Sequence, residues 1–407
     1  MPKRSRLIAV FNSIGRALNR SGLSLVPLQE QDLLDTACQN AGLRDFGDDV
    51  FREPLGILLK ACKEEARLTL IGRLALRRDT LRFLTNRLRL VNDRKRHPAM
   101  VSQEIRQPIF ITGLPRTGST LLHSLLSQDP HNRVPWTWEV MFPSPPPDSG
   151  TLADDPRVVQ TEQLLRMFDR LSPNFKAIHP MGARFSTECV GILGHTFASF
   201  HFRNMYDIPS YQQWLNHLDL RFAYEFHRQF LQHLQWRSPG ERWVLKAPPH
   251  IFALEAIFKT YPDARIIQTH RHPASVLAST ASLDAATRSA FSDHQDLKKI
   301  GMENLTHFAH RFLEAMALRR TPGPWHAQFL DVEYEDLIND PINQLKRIYS
   351  HYNLPYTEET ERRVRQFLEN EPQHKRGVHR YSLEEFGLTR EVVASHFRSY
   401  IAEFKLE

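Results

Sequence analysis

The segment Pro108–Pro130 constrains the fold of this chain more than any other stretch. Its apolar run Ile109–Ile111 ends at Gly113, and from Ser119 onward leucines recur at helical spacing. This pattern predicts a strand, a glycine-bounded loop and a helix. The N-terminus of a helix presents unpaired backbone N–H groups and the positive end of the helix dipole. We therefore expect an anion-binding loop, most naturally for phosphate.

The loop matches only half of the P-loop of ATP- and GTP-binding proteins. Gly113 and Gly118 have the required spacing, but Ser119 stands where that motif needs a lysine. The loop carries its cation inside, as Arg116, and neither of the next two predicted strands ends in an acidic residue that could hold Mg²⁺. We expect a transfer reaction without a metal. A kinase-like phosphotransferase stays open as the alternative.

The composition favours a protein that binds an acidic ligand in a reducing compartment. Its 407 residues carry a net charge of +7, but they contain no zinc-finger spacing or RNA-binding aromatic signature, so we expect no nucleic-acid partner. Cys38, Cys62 and Cys189 are an odd number at wide spacing, which argues against disulfides and a cysteine-based metal site. The apolar run Leu7–Phe11 is too short for a signal peptide. We expect a cytoplasmic protein.

The order of the apolar and helical patterns predicts an α/β fold. Residues 1–104 have the pattern of a helical N-terminal region, and residues 105–407 that of an α/β domain with a helical insert at about 150–238. Within the insert, helices are predicted at about Asp155–Leu171, Arg184–Phe202 and Ser210–Trp236. Further strands are predicted at Arg242–Lys246, Ala264–Arg271 and Gln328–Glu333. Strands that alternate with helices in this way are typical of a central parallel sheet built from right-handed βαβ units.

In the N-terminal segment Lys3–Arg20, apolar residues between Leu7 and Leu18 form one face of a helix, and Arg4, Arg16 and Arg20 lie elsewhere. Such a helix suits weak peripheral contact with a membrane surface. A helix that is docked on the protein's own core, with a solvated basic side, explains the same pattern and is the favoured interpretation.

Basic and aromatic side chains stand at or just after the predicted strand ends. Arg116 follows the first strand, and Lys246 and Arg271 end the next two strands. Tyr334 follows the last strand. Ligands of open parallel sheets bind outside the carboxyl ends of the strands. We therefore expect these four side chains to converge on the anion.

The loop sequence Gly-Leu-Pro-Arg-Thr-Gly-Ser-Thr-Leu-Leu resembles the 5′-phosphosulfate loop of the sulfotransferase family. It is most similar to the bacterial branch with PRxGxT loops, which also resembles the tyrosylprotein sulfotransferases. The resemblance covers roughly Pro108 to Gly387. It implies a P-loop-like three-layer fold and an enzyme that moves a sulfuryl group from 3′-phosphoadenosine 5′-phosphosulfate (PAPS) to a hydroxyl group.

The resemblance also implies which residues bind the donor. Arg116 and Lys246 would neutralise charge on the transferred sulfuryl group. Backbone and hydroxyl groups of four loop residues would hold the 5′-phosphate: Thr117, Gly118, Ser119 and Thr120. Arg271 and Ser279 match the family's 3′-phosphate signature, and Lys375, Arg376 and Gly377 resemble a basic loop that closes over the same phosphate. Leu121 replaces the aromatic residue that stacks on adenine in cytosolic relatives, so Tyr334 is the candidate for stacking.

The motifs offer two candidates for the base that takes the acceptor's proton. Cytosolic sulfotransferases have a histidine two residues after the motif lysine, but this chain has Pro248 there. The tyrosylprotein branch has a glutamate after the loop helix, and Glu139 occupies the comparable position. We therefore predict Glu139 as the base, with His250 as the less favoured alternative.

The acceptor cannot be identified from the sequence beyond its class. Trp136, Trp138, Met141 and Phe142 are candidates for the wall of an apolar pocket. They favour a small apolar or aromatic molecule that carries a hydroxyl group. A catalytically silent nucleotide-binding scaffold is a further alternative, and the sequence does not predict an oligomeric state.

Overall fold

The centre of the fold is a five-stranded parallel sheet. The computed structural model describes Asn12, Phe175 and residues 25–172, 181–323, 325–371 and 381–406. The strands are β1 (Ile109–Gly113), β2 (Asn132–Arg133), β3 (Arg242–Lys246), β4 (Arg265–His270) and β5 (Phe329–Glu333). All neighbouring strands are parallel, in the order β2-β3-β1-β4-β5. The prediction of a central parallel sheet is confirmed.

Helices precede the sheet, connect its strands and follow it. Before β1 lie α1 (Glu30–Ala41), α2 (Arg52–Glu64) and α3 (Leu70–Arg96). Between β1 and β3 lie α4 (Ser119–Leu126), α5 (Thr137–Met141), α6 (Pro156–Leu171), α7 (Val190–Leu193), α8 (Phe200–Met205), α9 (Pro209–Asn216) and α10 (Arg221–Gln235). After β3 lie α11 (Leu254–Thr260), α12 (Pro273–Arg288), α13 (Leu297–Arg320), α14 (Tyr334–Asn339), α15 (Pro341–His351), α16 (Glu358–Asn370), α17 (Arg390–His396) and α18 (Arg398–Phe404).

The sheet separates two apolar cores. Successive side chains of a strand point to opposite faces, so Ile109 and Ile111 pack in one cluster with Leu122 of α4. Phe110 points to the other face and packs in the larger cluster. That cluster also contains Phe83 of α3 and side chains of the insert helices. The chain therefore forms three layers, with helices on both faces of the sheet.

The helices before the sheet pack on the same core as the insert. Leu33 of α1 and Leu55 of α2 belong to the larger cluster together with Leu245 of β3. The long helix α3 begins with a capped turn, because the Thr69 hydroxyl accepts a hydrogen bond from the backbone N–H of Gly72 at 3.0 Å. The division of the chain at residue 104 stays a prediction.

The insert differs from the sequence prediction between residues 184 and 202. The sequence predicts one helix there, but the structure has two short helices, α7 and α8. A 3₁₀ turn at Gly194–Thr196 lies between them. Phe197 adopts a left-handed backbone conformation, with φ of 57°. Ser199 then caps α8, since its hydroxyl accepts a hydrogen bond from the N–H of His201. A left-handed residue followed by a new cap ends the helical run.

No helix in the described part of the chain is both long enough and apolar enough to cross a membrane. The amphipathic segment Leu7–Leu18, apart from Asn12, lies outside the described residues.

Candidate functional site

The loop between β1 and α4 depends on two glycines with positive φ. Gly113 has φ of 131° and Gly118 has φ of 84°. A Cβ atom on Gly113 would lie 2.4 Å from the carbonyl oxygen of Thr269 on β4, and one on Gly118 would lie 3.0 Å from the ring of Tyr334. Side chains at these positions would therefore collide with the sheet and with α14. The glycines let the loop stay close to both.

The first turn of α4 keeps its backbone N–H groups available. No side chain of the described residues caps this helix, and Ser119 and Thr120 line a large cavity. Thr117 differs, because its buried hydroxyl donates to the carbonyl of Leu114 at 2.7 Å and bonds to the hydroxyl of Thr269. The Thr117 hydroxyl thus holds the loop itself, and the prediction that Thr117 binds the phosphate depends on its backbone N–H group. The open helix end can still bind an anion.

Two arginines meet beside the loop. The Nε of Arg116 donates to the hydroxyl of Ser279 at 3.0 Å, and the Nη1 of Arg271 donates to the carbonyl of Arg116 at 3.2 Å. The guanidinium of Arg271 also lies 3.9 Å from the ring centre of Tyr334. Burial lowers the pKa of the Arg116 guanidinium, but an arginine still keeps its proton. This edge of the sheet therefore concentrates positive charge.

A lysine and a glutamate lie on the other side of the loop. Lys246, the last residue of β3, is buried, and its Nζ donates to the Oε1 of Glu188 at 2.5 Å and to the hydroxyl of Thr120 at 3.3 Å. Glu188 precedes α7, and its side chain is 24% exposed. Glu188 also lines the cavity together with Arg116 and Ser119. A cation, a carboxylate and an anion-binding loop therefore share one wall.

The cavity has a volume of about 1040 Å³ and extends from the loop into the insert. Arg116, Ser119, Thr120 and Glu188 lie at its polar end. Its remaining wall is mainly apolar and includes Phe83, Val140, Met141, Phe142, Leu164, Leu165, Phe168, Leu171, Val190, Phe200, Leu283 and Phe308. Met141 and Phe142 thus line the cavity as predicted, whereas Trp136 and Trp138 do not. The space suits a molecule that is apolar over most of its length.

Glu139 does not reach this cavity. Its side chain is fully buried, and its Oε2 accepts hydrogen bonds from Arg133 and from the backbone N–H of Trp136, both at 3.0 Å. Its other oxygen also accepts from Arg133. Both oxygens are therefore held by an ion pair and by the cap of α5. This arrangement gives Glu139 a structural role and argues against the prediction that it is the base.

His250 points into the core rather than toward the loop. Its Nδ1 bonds to the hydroxyl of Tyr224 at 2.6 Å, and its ring packs edge-on against Phe110. Burial, together with the charges of His227 and Lys246, lowers the pKa of His250 well below the usual histidine value. His250 is not among the described residues that line the cavity. Its burial and its position outside the cavity wall argue against the alternative that His250 is the base.

Comparison with known proteins identifies the family to which the chain belongs. The sequence profile of the sulfotransferase family matches residues 108–359. The chain belongs to the sulfotransferase family. The predictions of a sulfotransferase enzyme and of a P-loop-like α/β fold are confirmed.

Solved sulfotransferases of mycobacteria share both the fold and part of the sequence. STF1 from Mycobacterium tuberculosis H37Rv is 34% identical, with a TM-score of 0.81 over 91% of this chain and 98% of that chain. STF9 from Mycobacterium avium is 29% identical, with a TM-score of 0.85 over 94% of this chain and 98% of that chain. The omega-hydroxy-beta-dihydromenaquinone-9 sulfotransferase Stf3 of Mycobacterium tuberculosis is 27% identical over 312 residues, which are 73% of this chain and 74% of Stf3.

The sulfotransferase site brings together most of the residues that the sequence singled out. The six that lie around the loop are Arg116, Gly118, Ser119, Thr120, Arg271 and Tyr334, with Ser279 bonded to Arg116 and Lys246 bonded to Thr120. Tyr334 packs against Gly118 and under Arg271, so its ring supports that arginine. Lys375, Arg376 and Gly377 lie outside the described residues. The roles of all these residues in donor binding stay predictions.

Glu188 is the residue of this sulfotransferase site that sequence analysis missed. It lies in the insert, where we expected a continuous helix from Arg184 to Phe202. The chain instead pairs with the sheet region, because the N–H of Cys189 donates to the carbonyl of Lys246 at 2.9 Å. No local motif marks Glu188. Its place next to the lysine depends on long-range backbone hydrogen bonds of this kind.

Proposed function

We propose that this protein transfers the sulfuryl group of PAPS to a hydroxyl group on an apolar small molecule. The contact between Lys246 and Glu188 carries the proposal. Glu188 lines the cavity beside the anion-binding loop, and Lys246 lies behind that wall, bonded to Glu188 and to Thr120 at the start of α4. An enzyme that joins an anionic donor to an apolar alcohol needs a proton acceptor and a cation there.

The residues around the loop fit the donor. The open N-terminus of α4 and the Arg116 guanidinium suit the 5′-phosphosulfate. Arg271 uses one N–H group on the carbonyl of Arg116 and retains others for a second phosphate. Ser279 lies beside it through its bond to Arg116. This second cationic position suits the 3′-phosphate that distinguishes PAPS from ATP-like donors.

Glu188 is our candidate for the general base. Its carboxylate lies at the polar end of the cavity, where the hydroxyl of an acceptor would approach the loop. The acceptor oxygen forms a bond to sulfur, the bond from sulfur to the 5′-phosphate oxygen breaks, and Glu188 takes the hydroxyl proton. Lys246 stabilises the carboxylate form of Glu188 by a charge-assisted hydrogen bond and lies near enough to the loop to neutralise the leaving phosphate.

The acceptor class follows from the cavity. Apart from its end at the loop, the wall consists largely of phenylalanine, leucine, valine and methionine side chains. The relative Stf3 is named for a hydroxylated menaquinone derivative, which agrees with an apolar acceptor that carries a hydroxyl group. Cys38, Cys62 and Cys189 are free thiols, which suits a reaction in the reducing cytoplasm.

An acceptor screen with radiolabelled PAPS tests the proposal. Long-chain and polycyclic alcohols should become labelled, with adenosine 3′,5′-bisphosphate as the second product. Polar sugars of similar size serve as the matched acceptors, and we expect them to be labelled at least tenfold more slowly. Transfer of a phosphoryl group from ATP to the same acceptors, without sulfuryl transfer from PAPS, would favour the phosphotransferase instead. Donor binding without transfer to any acceptor class would favour the silent scaffold.

A further inference from the structure

The cavity reaches the protein surface beside α3 and α6, where its rim is partly apolar. Leu74 of α3 is 45% exposed and Met167 of α6 is 48% exposed, and both line the cavity. Large apolar side chains that cluster at an opening expose apolar surface to water. Such exposed apolar patches mark sites of interaction with a protein, a membrane or a ligand. Val159, on the flank of α6, is also exposed.

Three arginines lie in a row along the same side of the cavity. Arg78, Arg82 and Arg89 all line it. At about 100° per residue, these positions of α3 fall within a sector of about 40°. We call them the arginine stripe. Leu74 lies next to the stripe, one turn before Arg78.

The outer arginines of the stripe are available to an anionic partner. Arg82 pairs with Asp79 at 3.5 Å, which neutralises part of its charge. Arg78 and Arg89 are exposed, and within the described residues neither has a carboxylate at ion-pair distance. Arg78 instead contacts the sulfur of Met167 at 3.8 Å, so basic and apolar groups of the rim touch each other.

The facing helix repeats this combination. Arg166 and Arg170 of α6 are exposed, and both lie on the same side of Met167, at the helix face that carries Val159. The rim therefore has exposed apolar side chains in the middle and arginines on both helices. A nucleic acid would pair with the arginines but would leave the apolar side chains in water.

We propose that this rim docks on a membrane surface that contains anionic lipids, so that an apolar acceptor passes from the bilayer into the cavity. The proposal rests on the proposed function, since only an apolar acceptor would be dissolved in a membrane. The arginine stripe pairs with lipid phosphates, and Leu74 and Met167 enter the boundary between headgroups and acyl chains. The surface differs from the N-terminal segment Leu7–Leu18 that the sequence suggested.

Sedimentation with vesicles tests the docking. The full-length protein should bind vesicles of phosphatidylglycerol and phosphatidylcholine at low salt, and bind pure phosphatidylcholine much more weakly. An arginine near an anionic surface contributes about fivefold in the partition coefficient. Arg78→Ala/Arg89→Ala should therefore bind about 25-fold more weakly. Leu74→Asp/Met167→Asp should also lose binding, because the apolar contact becomes a repulsive one.

A second arginine pair provides the matched control. Arg362 and Arg365 of α16 are exposed and lie with α16 on the opposite face of the sheet. Arg362→Ala/Arg365→Ala removes the same charge, and we expect its vesicle binding to stay within about twofold. Binding of adenosine 3′,5′-bisphosphate reports that each variant is folded.

Three results would overturn the docking surface. These are the absence of binding to anionic vesicles, an equal loss in both arginine pairs, and a loss that appears only when Arg16 and Arg20 of the N-terminal segment are replaced. The third result would assign the contact to that segment. Transfer to a detergent-dispersed acceptor is measured in parallel. If transfer persists while vesicle binding is absent, the docking proposal fails and the proposed function stands.

Discussion

Replacement of Glu188 by glutamine tests which residue takes the acceptor's proton. Glutamine has nearly the same shape, so it preserves the packing but cannot accept the proton. Loss of a general base lowers turnover by about 10²–10⁴-fold, which equals about 2.7–5.4 kcal/mol of activation free energy. The Glu188 side chain is 24% exposed, so its ion pair with Lys246 is partly solvated. Lys246 itself is buried, so the loss of the Glu188 charge leaves a lysine that is shielded from most of the water. We expect the free energy of unfolding to fall by about 1–3 kcal/mol.

Glu139→Gln is the matched control, and the structure predicts the opposite pattern. Glu139 is fully buried and both of its oxygens bond to Arg133. Loss of one charge from a buried pair leaves the other without compensation, which costs about 3–5 kcal/mol of unfolding free energy. Because Glu139 does not line the cavity, turnover per folded molecule should stay within about threefold of the parent protein.

The assay combines single-turnover transfer from radiolabelled PAPS with urea unfolding. Titration with adenosine 3′,5′-bisphosphate gives the concentration of folded sites, so that a loss of protein is not counted as a loss of chemistry. The reasoning is refuted if Glu188→Gln keeps near-normal turnover. A Glu139→Gln variant with full stability and a turnover loss of 10²-fold or more would return the role of base to Glu139.

The other predictions concern the donor, the metal and the loop. Arg271→Ala should weaken binding of adenosine 3′,5′-bisphosphate by about 2–4 kcal/mol and hardly change binding of adenosine 5′-phosphate in calorimetry; equal losses would disprove a 3′-phosphate site. Turnover should stay within about twofold in EDTA, and a requirement for added Mg²⁺ would contradict a metal-free transfer. Gly113→Ala should lower the free energy of unfolding by about 2–4 kcal/mol, because its Cβ would lie 2.4 Å from the carbonyl of Thr269. Gly42→Ala is the control, since Gly42 also has positive φ but has nothing within 4 Å, and it should cost only about 1–2 kcal/mol; similar losses in both would refute the collision.

The sequence predicted the sheet and the donor side of the site because both depend on local signals. The glycine loop follows directly from β1, and Lys246 and Arg271 stand at strand ends that a parallel sheet brings to one edge. Strand spacing alone therefore indicated that these side chains would be neighbours. The contact of Arg116 with Ser279 needed the family signature as well, since Ser279 lies inside helix α12 and not at the strand end.

The acceptor side could not be predicted in the same way. Glu139 has the sequence position of a base, but Arg133, six residues earlier, binds it in the core. The sequence contains no pattern that distinguishes a free glutamate from one that forms an ion pair between a short helix and a strand. Glu188 has no motif at all, and its position depends on a backbone bond to β3, which lies far along the chain. Sequence spacing predicts which residues are neighbours along one helix or strand. Contacts between different elements determine that Glu139 lies in the core and that Glu188 lines the cavity.

The backbone around Glu188 holds this residue independently of the apolar cavity wall. The N–H of Thr187 donates to the carbonyl of Pro135, and the N–H of Cys189 donates to the carbonyl of Lys246, both at 2.9 Å. These two bonds hold the chain on either side of Glu188 and involve no side-chain atoms. The apolar wall of the cavity, by contrast, consists of side chains of α3, of the insert helices and of α12 and α13. Substitutions in that wall can therefore change which acceptor fits while the glutamate and the lysine keep their distance.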